Sequence, residues 1–259
     1  MKKILWLNVL IVLVLFTACN NHLYEPALYK TDINYQFKPM AADSIKSANS
    51  ISAKLKVSGG TNANDAITIG EVAYSRANTF KHFNIAYGGY GFLGEYYNNS
   101  IKENEPGYFD FKYFSGFGLH FSANAYFTEG RIDYRFIGFE AAFSKEFGSY
   151  PDFRKSIKNT PNFYTDASTS LFTGGLTTEI IWHRENDQAI KYGYRLFLGT
   201  VFGSHEFTNL ASSGSAYSSI VNTGRMCYAG ALFAQVDQLQ IVFQVQNLSG
   251  ITFGLGYSF

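Results

Sequence analysis

Hydrophobic and polar residues alternate along most of this chain with the period of two that is typical of β-strands. In residues 239–246, Leu239, Ile241 and Phe243 fall on one face, and glutamines dominate the other face. The last ten residues repeat this pattern. Their apolar face consists of Ile251, Phe253, Leu255, Tyr257 and Phe259, and their other face of Thr252, Gly254, Gly256 and Ser258. A soluble protein would have to bury such a face, whereas in a membrane barrel it contacts lipid.

The alternation recurs often enough to predict about ten strands and almost no helix. The strands are predicted near residues 51–58, 67–75, 80–96, 108–127, 131–147, 166–183, 190–203, 223–236, 238–246 and 250–259. Alternating segments of about ten residues are typical of transmembrane β-barrels. We therefore predict an all-β fold, a transmembrane antiparallel up-and-down β-barrel of about ten strands. Eight or twelve strands are the alternatives, because residues 80–96 could be split.

The connections between these strands alternate in length. Short turns are predicted at residues 78–79, 128–130, 184–187 and 236–237, and longer polar loops at 59–65, 97–107, 148–165 and 204–222. Outer-membrane barrels place short turns at the periplasmic side and longer loops outside. An even strand number then puts both barrel termini on the periplasmic side. The connection at residues 247–249 is short, which fits this scheme least well.

The predicted strand at residues 131–147 shifts its apolar face by one position near Ile137-Gly138, which indicates a β-bulge. With this bulge, Arg131, Asp133, Arg135 and Glu140 all face the barrel interior. Because a ten-stranded barrel is narrow, we expect these charges to pair across the lumen and plug it. A path for protons or ions through the same charges is the alternative.

Composition supports a surface that faces lipid. Aromatic residues make up 18% of the chain and charged residues only 16%, whereas an average soluble protein carries about 25% charged residues. Without Lys2 and Lys3, 19 basic side chains remain against 20 acidic ones, and this near-neutral charge argues against a nucleic-acid partner. Cys227 is the only cysteine beyond Cys19, so no paired-cysteine metal site is expected.

The N-terminal residues have the features of a secretory signal peptide. Lys2 and Lys3 precede an apolar run over residues 4–16, and small residues follow it. At roughly 13 residues the run is shorter than the about 20 residues that span a bilayer as a helix, although a retained anchor helix is an alternative. Phe16-Thr17-Ala18-Cys19 resembles a bacterial lipobox, which implies that residues 1–18 are removed and that Cys19 is lipidated. Cleavage by ordinary signal peptidase near Ala18 is the other possibility.

Residues 19–50 lack strong periodicity, and we predict a lipidated tether that lies along the periplasmic mouth, followed by the barrel over residues 51–259. The positions of Gly254, Tyr257 and Phe259 resemble the C-terminal signal that the barrel-assembly machinery reads on outer-membrane proteins. As a whole, the chain resembles the lipidated small outer-membrane barrels of the Bacteroidota, a resemblance that brings no assigned activity. The residues after Cys19 lack the acidic run common in surface-exported lipoproteins of that phylum, which favours the inner leaflet for the anchor.

A catalytic alternative rests on His120 and Ser122. Their spacing resembles the His-x-Ser pair of outer-membrane lipid A deacylases and phospholipases, in which base and nucleophile lie side by side on one strand. Those families place the pair on the lipid-facing wall, whereas here the alternation turns both side chains inward. Omptin-type proteases need an Asp-x-His arrangement, and no such motif is present. The histidines show no metal-ligand spacing, so neither a metal nor another cofactor is expected.

These features predict a non-enzymatic outer-membrane lipoprotein that serves as an envelope structural protein or an accessory subunit of a larger outer-membrane complex. Its expected partners are outer-membrane lipid, the barrel-assembly machinery and that larger complex. A narrow pore or small-ligand transporter is the main alternative, because inward glycines such as Gly88, Gly118, Gly193 and Gly199 could leave space in the lumen. A lipid hydrolase that uses His120 and Ser122 is the third possibility.

Overall fold

The computed structural model of the protein describes residues 22–41, 43, 46–62, 64–184, 187–202, 225–247 and 250–259. The predicted signal peptide, Cys19 and the whole loop at residues 204–222 lie outside these ranges.

Ten antiparallel strands of the described residues form a closed barrel in the order β10-β11-β12-β2-β3-β4-β5-β6-β8-β9. Their bounds are β2 Ser47–Gly59, β3 Ala66–Thr79, β4 Phe83–Tyr97, β5 Phe111–Glu129, β6 Ile132–Phe147, β8 Ser170–Arg184, β9 Asp187–Phe202, β10 Met226–Val236, β11 Leu239–Gln246 and β12 Gly250–Ser258. Two short strands, β1 His22–Tyr24 and β7 Phe163–Thr165, pair in parallel outside the barrel sheet. The prediction of a ten-stranded antiparallel barrel is therefore confirmed, and each predicted strand corresponds to one barrel strand.

The barrel closes between its first and last strands. The amide of Asn49 donates to the carbonyl of Phe259 at 3.0 Å, and the amide of Phe259 donates back to the carbonyl of Asn49 at 2.9 Å. Both ends of the barrel domain thus lie at the end of the barrel that carries the short turns, which we call the short-turn face. The opposite end carries the long connections before β3, β5, β8 and β10 and is called the long-loop face.

The outer wall of the barrel is a continuous apolar surface. Its middle carries exposed aliphatic side chains, among them Val72, Leu119, Leu176, Leu196, Leu232 and Leu255, interspersed with rings such as Phe121, Phe139 and Phe253. Within five residues of the strand ends at the short-turn face lie the exposed rings of Tyr74, Phe83, Tyr87, Phe127, Tyr192 and Tyr257. Within two residues of the strand ends at the long-loop face lie those of Phe111, Tyr113, Phe147, Phe172, Phe202 and Tyr228. An apolar belt with aromatic rings at both rims matches the cross-section of a lipid bilayer; we call this belt the aliphatic belt, after its leucine and valine side chains, and the two rims the aromatic girdles.

The pairing of β6 with β8 shifts register between Arg135 and Gly138, which confirms the predicted bulge. Consecutive residues Phe136 and Ile137 both face outward there, so that Arg135 and Gly138 can both face inward. A second register shift, between Ala125 and Phe127 in the pairing of β5 with β6, was not predicted. Bulges of this kind let a strand change phase without breaking the sheet.

Residues 22–41 run through the barrel lumen from the long-loop face to the short-turn face, and we call them the threaded segment. Most of its side chains are buried, with Tyr24, Asp32 and Met40 fully enclosed. The segment has regular structure only at His22–Tyr24. The prediction of a tether along the periplasmic mouth is therefore wrong for these residues, and residues 47–50 belong to β2 instead. The physical reason is that the segment satisfies its backbone groups with lumenal side chains, so it needs no periodic pattern.

A compact cap covers the long-loop face. It consists of helix α1 (Ser149–Ser156), the β1–β7 pair and a cluster of aromatic rings. The rings are those of Tyr24, Tyr96, Phe109, Tyr150, Phe153 and Phe163. Tyr150 stacks on Tyr96 at a centroid distance of 4.4 Å, and its hydroxyl donates to the carbonyl of Glu25 at 2.8 Å. The cap thus fixes the threaded segment where it enters the barrel.

Candidate functional site in the barrel lumen

Ion pairs of the barrel wall, joined by hydrogen bonds from the threaded segment, fill the middle of the lumen. Glu71 on β3 accepts from Lys54 at 3.0 Å and lies 2.6 Å from the ammonium of Lys56, both on β2. Asn34 of the threaded segment donates to the same carboxylate at 3.0 and 3.2 Å. All these groups are buried. Because a buried charge is stable only when it is paired and hydrogen-bonded, this cluster ties the segment to β2 and β3.

A second cluster lies nearer the short-turn face. Arg135 on β6 pairs with Glu179 on β8, and Lys38 of the threaded segment lies 3.7 Å from the same carboxylate. The guanidinium of Arg135 also donates to the carbonyls of Lys38 and Pro39 at 3.2 and 3.1 Å. Arg135 therefore holds both the wall carboxylate and the segment backbone.

A third cluster joins β6 to β9. Arg195 forms a two-pronged pair with Glu140, in which its Nε donates at 2.9 Å. Beside it, Gln244 on β11 binds the segment backbone from both sides. Its amide nitrogen donates to the carbonyl of Ile33 at 2.8 Å, and its oxygen accepts from the amide of Tyr35 at 3.1 Å.

The predicted charge residues are thus only partly brought together. Arg135 and Glu140 lie in the lumen but pair with Glu179 and Arg195. Asp133 is buried near the short-turn face, where it accepts from the amide of Ala41 at 2.9 Å and from Thr128 at 2.7 Å. Arg131 is exposed at the turn before β6 and is not among the buried charges of the lumen. Six charged groups of the network were not predicted as its members: Lys38, Lys54, Lys56, Glu71, Glu179 and Arg195. All of them except Lys38 occupy inward positions of the period-two pattern on barrel strands, which could have identified them.

Inward glycines do not leave open space, and the expectation that they could is wrong. Each lies against an aromatic ring or other side chain in the lumen, so that a β-carbon there would collide with it. A β-carbon on Gly118 would lie 2.2 Å from Cζ of Tyr90, and one on Gly193 would lie 2.3 Å from Cζ of Phe233. Phe197 covers Gly199 in the same way, and the His120 ring lies over Gly88. Tyr35 of the threaded segment then stacks on Phe233 at 4.0 Å between centroids.

His120 and Ser122 both lie inside the barrel rather than on the lipid-facing wall. The Ser122 hydroxyl lies 3.3 Å from Asn124 Oδ1 and 3.3 Å from Glu140 Oε1, and it donates to these acceptors rather than to His120. The His120 ring instead packs near Tyr90, at 5.8 Å between centroids. The His120 ring is therefore not aimed at the Ser122 hydroxyl, as it would be in the His-x-Ser pair of the resembling hydrolases.

In the cap, Arg154 of α1 pairs with Glu146 at the end of β6 and lies over the Tyr150 ring, 5.1 Å from its centroid. Burial lowers the pKa of Arg154 to about 10, because desolvation outweighs the attraction of Asp166. The guanidinium therefore stays charged at neutral pH. Glu146 also accepts from the amide of Ala27 at 3.0 Å, which connects this pair to the threaded segment.

A cavity of about 380 Å³ opens at the short-turn face beside the end of the threaded segment. Its lining includes Phe37, Lys38, Asp43, Lys191 and Gln240. Lys191 pairs with Asp43 at 2.6 Å across the mouth. The cavity has the size of a small-ligand site, and its lining combines polar and charged side chains with apolar ones such as Phe37 and Phe259.

The residues of the predicted assembly signal lie on β12 and at the closure of the barrel. Tyr257 and Phe259 are exposed on the outer wall, and Gly254 faces inward against Val242 and the stem of Lys54. Their role in assembly stays a prediction. Within the described part of the chain, no cluster of three or more His, Cys, Asp or Glu side chains is arranged to hold a metal ion. No helix among these residues is long and apolar enough to cross a bilayer.

Comparison with known proteins finds no matching family model and no matching curated protein. Solved structures with a related fold include the transport unit of the autotransporter AIDA-I from Escherichia coli, with 10% identity and a TM-score of 0.44, covering 90% of this chain and 97% of that one. An outer-membrane channel from Pseudomonas putida F1 has 7% identity and a TM-score of 0.40, covering 86% and 100%. OprG, an outer-membrane protein of Pseudomonas aeruginosa, has 6% identity and a TM-score of 0.33, covering 83% and 96%. Likeness at this level concerns the fold alone and assigns no activity to this chain.

Proposed function

We propose that this chain is an outer-membrane β-barrel whose lumen is closed by its own N-terminal segment, and that it acts without catalysis. The aliphatic belt and two aromatic girdles of the outer wall support a location in a bilayer. A closed lumen and a rigid apolar wall suit an envelope structural protein or an accessory subunit that docks on a larger outer-membrane complex. We also propose that Cys19 is lipidated, on the basis of its lipobox-like sequence.

The observation that carries this proposal is the threaded segment. Its contacts span the whole lumen, from the cap at Tyr24 to Asp133 at the short-turn face. Between these ends the three ion clusters and the inward aromatic rings occupy the remaining space. An ion would therefore meet paired charges and packed side chains rather than a continuous aqueous path.

Conductance in planar bilayers tests the closed lumen. We expect the purified full chain to give no steady current, because the threaded segment blocks the barrel. A variant that lacks residues 24–40 should show discrete conductance steps if it folds. A matched control that lacks the exposed loop residues 102–105 should stay closed, because this loop lies outside the lumen. A steady open current from the unmodified chain would contradict the proposal whether or not the deletion variant folds.

A narrow pore or small-ligand transporter is the second candidate, and the cavity at the short-turn face favours it. Movement of residues 37–40 would extend this cavity into the lumen. Voltage- or ligand-dependent opening of the full chain in the same bilayers would support this candidate over the closed barrel.

Acyl labelling tests the lipid anchor. The wild-type chain should incorporate radiolabelled fatty acid, and Cys19→Ala should abolish the incorporation and leave a longer, unprocessed precursor. Cys227→Ala is the matched control, because Cys227 is buried within the barrel and should not affect labelling. Normal processing of Cys19→Ala would indicate cleavage by ordinary signal peptidase instead.

A further inference from the structure

The direction of the threaded segment is fixed by its contacts at both ends. At the long-loop face, the amide of Leu23 donates to Oδ1 of Asn62 at 2.7 Å, and the amide of His22 donates to the carbonyl of Asn162 at 2.9 Å. Asn62 and Asn162 lie in two of the long connections, between β2 and β3 and between α1 and β7. The chain therefore enters the lumen from the long-loop face.

At the other end, Thr79 donates its hydroxyl to the carbonyl of Pro39 at 2.6 Å, and the amide of Ala41 donates to Asp133 at 2.9 Å. Thr79 ends β3 and Asp133 is the second residue of β6, so both adjoin short turns. From there the chain reaches Ser47 and starts β2 at the same face. The segment thus crosses the lumen once, from the long-loop face to the short-turn face. The first barrel strand, β2, then runs in the opposite direction along the wall.

We propose that the residues before His22 emerge on the cell surface, so that acyl chains on Cys19 insert in the outer leaflet. This inference rests on the proposed outer-membrane location and lipidation. Long loops of outer-membrane barrels face outward and short turns face the periplasm. The long-loop face, where His22 lies, is then the extracellular one. The expectation of an inner-leaflet anchor is replaced by this proposal.

The short stretch of chain between Cys19 and His22 decides which leaflet an acyl chain on Cys19 can reach. Cys19 is three residues from His22, so its α-carbon can lie at most about 11 Å away from that of His22, whatever its conformation. The hydrocarbon core of a bilayer is about 30 Å thick. A lipid on Cys19 therefore cannot reach the periplasmic leaflet while residues 22–41 occupy the lumen.

Withdrawal of the segment to the periplasm would be costly. It would leave Glu71 without Asn34, Glu179 without Lys38, and the guanidinium of Arg135 without its two carbonyl acceptors. The ring of Tyr24 would also leave the aromatic cluster of the cap, where it packs edge-on against Phe153 at 5.3 Å. Each of these buried groups would lose a partner that only the segment provides.

Thiol labelling on intact cells tests the inference. Three variants of the full chain, each with one added cysteine, are compared: Asn21→Cys before the segment, Glu103→Cys in an exposed long loop, and Glu129→Cys at an exposed short turn. The reagent is a membrane-impermeant maleimide carrying polyethylene glycol. The wild-type chain sets the blank because Cys227 is buried, and denatured lysate gives the total thiol for each variant. We expect Asn21→Cys to be labelled on intact cells to the same extent as Glu103→Cys, and Glu129→Cys only after permeabilisation.

The other outcomes separate this inference from the proposed function. Labelling of Glu103→Cys on intact cells, with Asn21→Cys protected until permeabilisation, would overturn the surface position and leave the outer-membrane barrel standing. Protection of Glu103→Cys on intact cells would overturn both, because the long-loop face would then not be extracellular.

Discussion

At the scale of single residues, the lumen is organised by carboxylates that each serve more than one partner. Glu71 holds two lysines and an asparagine, and Glu179 holds an arginine and a lysine. In both clusters one partner belongs to the threaded segment and the others to the wall. Loss of one carboxylate would therefore remove a contact with the segment and leave buried cations of the wall without a counter-charge.

Glu71→Gln tests this dependence. The change keeps the size of the side chain but leaves Lys54 and Lys56 without a counter-charge, and breaking a buried pair typically costs about 3–5 kcal/mol. We expect a clear drop in the free energy of unfolding, measured by urea titration of the detergent-solubilised barrel. Asp152→Asn is the matched control, because it removes an exposed pair with Lys155 and should leave the midpoint unchanged. Equal midpoints for the two variants would mean that the cluster contributes little.

Residue-level patterns predicted which side chains face inward but not which ones pair. The period of two in β6 is local, so Asp133, Arg135 and Glu140 could be assigned to the lumen from their neighbours alone. Their partners lie on β8, β9 and the threaded segment, 44 residues away for Glu179 and 55 for Arg195. Pairing across a barrel depends on strand order and tilt, which no local pattern records.

At the scale of elements, glycines and aromatic rings in the lumen form matched pairs on neighbouring strands. Gly118 on β5 lies beside Tyr90 on β4, and Gly193 on β9 lies beside Phe233 on β10. A large ring can lie flat against the wall only where the adjacent strand has no side chain. The inward glycines therefore increase packing density rather than open a channel.

Gly118→Ala tests this pairing. Its new β-carbon would lie 2.2 Å from Tyr90 and 2.6 Å from the carbonyl oxygen of Phe143, and such overpacking costs about 1–3 kcal/mol. Gly91→Ala is the matched control, because the nearest atom to its new β-carbon would be the carbonyl oxygen of Gly116 at 3.9 Å. We expect thermal unfolding at a lower temperature for Gly118→Ala and no decrease for Gly91→Ala. A similar response of both variants would show that ring packing does not require the glycine.

At the scale of the whole molecule, the barrel could be predicted from the sequence and the threaded segment could not. Each barrel strand has its own alternating pattern, so ten local signals add up to one architecture. Residues 25–41 carry no such pattern, because their carbonyls accept from Lys56, Arg135 and Gln244 instead of pairing in a ladder. Contacts of this kind join positions more than 200 residues apart, as between Tyr35 and Gln244.

The barrel strands enclose residues 22–41, which precede them in the chain. This enclosure constrains the order of the folding steps. Protein chains rarely pass through their own closed loops. Residues 22–41 precede every barrel strand in the chain, and the hydrogen bonds between β12 and β2 join the last barrel strand to the first. With the proposed lipid on Cys19, the N-terminus would be too bulky to be pulled afterwards through a lumen filled with rings and ion pairs. The segment must therefore lie between the open edges before they meet, and joining β12 to β2 is the step that makes its position permanent.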